Sequence, residues 1–167
     1  MLDFDRFGPD PQSVPPGSEI GSGIRLAYDR DSKMVLGVRR TERLLACGQA
    51  VPTLHIHGQN RAPEDWFGIE IWLPHAETDI TMTARNYPAQ RLFPRFYYQT
   101  GKKTGYVDLP DAAASDSFHT RLFEARRWAG GLPSSQISKT RLSILVPSTV
   151  WFVMEIQDIT LGAPPDA

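Results

Sequence analysis

Along residues 65 to 73, Asp-Trp-Phe-Gly-Ile-Glu-Ile-Trp-Leu, apolar and polar positions alternate. Phe67, Ile69, Ile71 and Leu73 fall on one side of an extended chain, and Trp66, Gly68, Glu70 and Trp72 on the other. The same period-two split recurs. Leu54 and Ile56 oppose His55 and His57, and Ile80, Met82 and Ala84 oppose Thr81, Thr83 and Arg85. Further on, Leu92, Phe96 and Tyr98 oppose Phe93, Arg95, Tyr97 and Gln99, and Phe152, Met154 and Ile156 oppose Trp151, Val153, Glu155 and Gln157. Read from turn to turn, the pattern predicts strands at 24 to 29, 33 to 39, 53 to 58, 66 to 73, 79 to 86, 92 to 99, 104 to 109, 141 to 147 and 150 to 161. Residues 115 to 131 admit two readings. A helix would place Phe118, Leu122, Ala125 and Ala129 on one stripe with Gly130 as its stop; a strand would set Phe118, Thr120 and Leu122 against His119, Arg121 and Phe123. A strand suits the surrounding pattern better.

Many short strands at this spacing predict an all-β, antiparallel two-sheet sandwich of the jelly-roll kind rather than a βαβ fold. The ends read as peripheral. Residues 8 to 23 carry Pro9, Pro11, Pro15, Pro16 and several glycines, and the tail 163 to 167 contains Pro164 and Pro165. The expected organisation is an amino-terminal arm at 1 to 23, one sandwich domain at 24 to 162, and a short tail. A chain of 167 residues suits one core, burying roughly 70% of its unfolded surface. A net charge of −1 gives no reason to expect nucleic acid or an anionic membrane as partner, and the Arg39-Arg40 pair reads as solvated. The first residues form neither a basic leader nor an apolar run, so a cytoplasmic location is expected, with export by another route left open. Cys47 is the single cysteine and reads as a buried, inert thiol.

The outward rows carry the candidate chemistry. Were they to share one sheet, they would form a surface of aromatics, imidazoles, guanidinium and carboxylate. Indole and phenol faces stack on the C–H face of a sugar ring, while Arg, Glu, Gln and His bond its hydroxyls. Trp66, Glu70, Trp72, Arg95 and Tyr97 are the leading contact candidates, with His55, His57, Trp151, Glu155 and Gln157 behind them. Two other readings fit the same residues: rows packed beneath the proline-rich arm, or a protein interface whose simplest form is a homodimer.

Three segments together resemble the galactose-binding-like jelly rolls of many carbohydrate-binding modules: Phe4-Asp5, the stretch Asp65 to Pro74, and the stretch Trp151 to Leu161, whose Asp158, Ile159 and Leu161 match the hydrophobic-acidic ending of that group's last strand. The resemblance implies a two-sheet antiparallel sandwich, a carbohydrate ligand held on a concave sheet or at loop tips, and no catalysis by the domain itself. Many members hold a structural calcium, which would nominate Asp5 and Asp158 as oxygen ligands. No other cofactor is implied.

Enzymatic readings use some of the same residues. His55 and His57 place two imidazoles on one side of a strand with Glu64 beyond them, as in the metal site of a cupin, although each spacing departs from the cupin motif. Glu64 with Glu70, or Glu70 with Glu155, could serve as the acid and base of a glycosidase if their separation allowed.

Overall fold

The protein is described from a computed structural model, over residues 1–15, 17–28, 35–59, 67–73, 79–87, 93–108, 117–124, 137–146 and 151–162. After a 3-10 turn at Phe4–Arg6, the strands are Gln12–Ser13 (β1), Glu19–Gly21 (β2), Ile24–Tyr28 (β3), Val35–Leu44 (β4), Ala50–Gln59 (β5) and Phe67–Leu73 (β6). They continue with Ile80–Tyr87 (β7), Phe93–Thr100 (β8), Lys103–Asp108 (β9), His119–Phe123 (β10), Ile137–Val146 (β11) and Trp151–Leu161 (β12). Two six-stranded antiparallel sheets result, one ordered β2-β3-β6-β11-β8-β9 and the other β1-β4-β5-β12-β7-β10. The expected all-β sandwich is the fold. The ambiguous segment contains a strand, β10; its residues 115, 116 and 125 to 131 lie outside the described residues.

The inward rows follow the alternation. Ile24, Leu26, Ile69, Ile71, Phe96 and Leu142 from the first sheet meet Leu36, Val38, Leu54, Ile56, Ile80, Met82, Met154 and Ile156 from the second in one buried cluster. Each aliphatic side chain so buried contributes roughly 1.5–3 kcal/mol. In β10 it is Phe123 that enters the core, so Arg121, across from Met82, shares the inward row; burial lowers its pKa.

The arm is more than a peripheral loop. Leu2, Phe7 and Ile20 are buried in the core. On one side Leu2 bridges Gly21, and the Asp3 N–H donates to the Ile20 carbonyl at 2.9 Å. On the other, β1 pairs with β4, and the Arg40 N–H donates to the Gly8 carbonyl at 2.8 Å. The arm therefore ties the β2 edge of one sheet to the β4 edge of the other and closes that side of the sandwich. Composition signals loop, but four prolines do not prevent a short segment from supplying buried side chains and edge hydrogen bonds. Among the described residues no helix is long and apolar enough to cross a membrane.

Candidate functional site

Glu70, Trp72, Arg95 and Tyr97 share one surface. Because Ile69, Ile71, Leu73 and Phe96 point into the core, the intervening residues of β6 and β8 point outward from the first sheet. Register aligns them across strands: Trp72 pairs with Arg141, Arg141 with Tyr97, and Tyr97 with Tyr106. The adjacent row runs from Arg25 through Glu70 and Ser143 to Arg95. The Tyr97 and Tyr106 rings lie 6.0 Å apart and tilted by 51°, and the Arg95 guanidinium carbon sits 4.3 Å over the Tyr106 ring. Arg25 pairs with Glu19 at 3.1 Å at the other end of the face. Trp72 is 38% exposed and Tyr106 57%. Trp66 lies outside the described residues.

His55, His57, Glu155 and Gln157 belong to the second sheet, so the ten candidates do not make one surface. Glu70, Trp72, Arg95 and Tyr97 face outward from the first sheet, and His55, His57, Glu155 and Gln157 lie on the second. Trp151 opens β12 in the same second sheet, its backbone paired with Gln59. Alternation assigns a residue to one side of its own strand; it does not say which sheet the strand joins.

On this second face a transverse row runs Arg39, His55, Glu155, Arg85 through β4, β5, β12 and β7. Glu155 is only 6% exposed; its Oε1 accepts a hydrogen bond from Arg85 at 3.0 Å and lies 4.0 Å from His55 Nε2. Burial holds the His55 pKa below its ordinary value; Arg39 and His57 push the same way, and Glu155 opposes them. Arg43 donates to Gln157 at 2.6 Å, and Arg43 and Arg85 lie 4.3 and 5.0 Å from the centre of the Phe118 ring. Phe118 directly precedes β10, four strand spacings from β4, so the contact with Arg43 links strands that are far apart in this sheet. Hydroxyl pairs add to the layer: Thr41 with Thr53 at 2.6 Å and Thr83 with Thr120 at 2.9 Å. This face is largely engaged with itself, whereas the first presents exposed rings.

The other candidates are placed as follows. Asp5 pairs with Arg40 at 3.4 Å, and Arg40 belongs to the inward row of β4 that holds Leu36 and Val38. Asp158 is exposed on the outward side of β12, next to buried Ile159. Among the described residues no group of three or more His, Cys, Asp or Glu could hold a metal ion. Glu64 lies outside the described residues, and the Arg39 cation beside His55 is a poor neighbour for a divalent ion. Glu70 and Glu155 point away from opposite sheets and cannot flank one glycosidic bond. Cys47, expected buried, is exposed in the turn between β4 and β5, where the Gly48 N–H donates to Leu45.

Tyr106, Arg25, Arg85 and Phe118 were not among the candidates. Alternation of Thr104, Tyr106 and Asp108 against Gly105 and Val107 carries the signal for Tyr106. Nothing local reveals Phe118, whose neighbours come from distant strands.

No protein-family model matches the chain, and neither does any curated protein. Solved structures do. One, described as the structural basis for the promiscuous specificity of the carbohydrate-binding modules from the β-sandwich superfamily, matches 84% of this chain with a TM-score of 0.56 at 10% identity. This chain covers 57% of that one's length. The family 11 carbohydrate-binding module of the cellulosomal cellulase Lic26A-Cel5E of Clostridium thermocellum matches at 0.53 and 11% identity, over 95% of this chain and 97% of that one. The family 11 module from Clostridium thermocellum in complex with a β-1,3-1,4-mixed-linked tetrasaccharide matches at 0.52 and 11%, over 92% and 95%. The chain thus has the two-sheet jelly-roll fold of the β-sandwich carbohydrate-binding modules.

Proposed function

We propose that this chain is a non-catalytic carbohydrate-binding module whose ligand lies along the outward face of the first sheet. One observation carries the reading: Trp72, Tyr97 and Tyr106 fall in a single transverse row, with Arg141 as the position between Trp72 and Tyr97. From β6 to β9 the row crosses three strand spacings, about 14 Å at ~4.8 Å each, a length suited to a short run of sugar rings. Trp72 and the two tyrosines supply stacking surfaces, while Glu70 and Arg95 in the adjacent row supply an acceptor and donors for hydroxyls. A fold neighbour bound to a mixed-linked tetrasaccharide supports the class of ligand.

A glycan array with β-1,3-1,4-glucan included, followed by calorimetry on any hit, tests the reading. Trp72→Ala and Tyr106→Ala should each weaken binding roughly tenfold or more while leaving the unfolding midpoint within a few degrees of wild type. Prolonged incubation should release no reducing ends. A blank array, or a hit unaffected by either variant, would overturn the assignment.

A further inference from the structure

The second face has one corner that its own network leaves open. Gly37 stands in β4 between Ser13 of β1 and His57 of β5, paired with both. Ser13 and His57 are thus two strand spacings apart, about 10 Å, with no side chain between them. A Cβ built on Gly37 would meet nothing closer than Pro11 Cβ at 4.0 Å, so the space over the backbone is open. Arg39, the next outward residue of β4, borders the same gap, and Ser13 and His57 are exposed. Among the described residues, Arg39, Ser13 and His57 have no side-chain hydrogen bond or ion pair. The one carboxylate of the neighbouring row, Glu155, is already held by Arg85 at 3.0 Å and stands on the far side of His55 from Arg39. That Arg39 and His57 both lower the His55 pKa agrees with a local excess of positive charge.

We propose that the notch over Gly37 binds an oxyanion, a carboxylate or sulfate, through the Arg39 guanidinium, the His57 imidazole and the Ser13 hydroxyl. A guanidinium offers paired donors to such a group, and an imidazole N–H and a hydroxyl complete the ring from either side. The shared chemistry fits an acidic group on a saccharide or a free inorganic anion. The site lies on the sheet opposite Trp72 and does not depend on the glycan row.

The test follows the His57 ring resonances of the full chain by NMR. Sodium sulfate and an oligomer of galacturonate are titrated separately, against sodium chloride at matched ionic strength. A saturable shift with sulfate or the oligomer, absent with chloride, is expected. It should weaken roughly tenfold or more in Arg39→Gln, which removes the cation, and in Gly37→Val, which fills the gap with a residue suited to a strand. Trp72→Ala should leave it unchanged. Tighter binding of the oligomer points to an acidic saccharide, and tighter binding of sulfate to the free anion; either supports the site. A response that chloride reproduces, or one that persists in Arg39→Gln, would overturn it.

Discussion

Glu155 occupies an outward position on its strand and is nonetheless nearly enclosed, with Arg85 and His55 on the flanking strands. The consequence for pH dependence rests on His55. Its folded pKa is lowered, first by burial and then by Arg39, so the unfolded chain, titrating near 6.5, takes up the proton before the folded one does. Where the unfolded state holds more protons, stability rises with pH. His55 therefore withdraws stability as pH falls through about 6.5, and the loss levels off below its folded value. His55→Gln should give a flatter dependence of unfolding free energy on pH between about 7 and 5 than wild type, measured by urea titration. Parallel curves for the two proteins would show that burial does not govern this histidine.

At the scale of elements, the arm's hold on the sandwich depends on Gly21. A Cβ there would collide with the Met1 carbonyl and come within 2.9 Å of Leu2 Cα, both main-chain atoms of the arm. Gly21→Ala should loosen the first residues from β2 and cost about 1–3 kcal/mol, the usual range for overpacking. Limited proteolysis should then cut the arm faster; an unchanged midpoint and cleavage rate would contradict the close approach. The other elements were legible in proportion to how local their cause is. The inward row of β6 and the placement of Glu70 and Trp72 follow from alternation alone. The core role of Ile20 was hidden by the prolines and glycines around it. In β12 the register shifts between Ile156 and Asp158, which puts Gln157 at a bulge and returns Ile159 to the core. Strict alternation cannot foresee that extra residue. Sheet membership was the largest gap, because hydrophobic periodicity is the same whichever neighbours a strand chooses. His55 and Glu70 therefore read alike in sequence and face opposite ways in space.

In the whole molecule the two faces stand back to back across a core about 10 Å thick, with outward side chains farther apart still. The first face exposes aromatic rings to solvent, whereas the second, apart from the notch over Gly37, is largely engaged in contacts among its own charged and hydroxyl groups. Trp72→Ala should therefore act chiefly on ligand binding and Glu155→Gln chiefly on stability, by about 1–2 kcal/mol, since Arg85 keeps partial access to water. Sites this far apart, on opposite faces of the sandwich, couple weakly, so losses in the double variant should equal the sum of the single losses to within about 0.5 kcal/mol. Urea unfolding and glycan calorimetry on the four proteins of the cycle provide both quantities. A coupling above about 1 kcal/mol in affinity would mean that the network around Glu155 shapes the aromatic face through the core, and that the two surfaces act as one device.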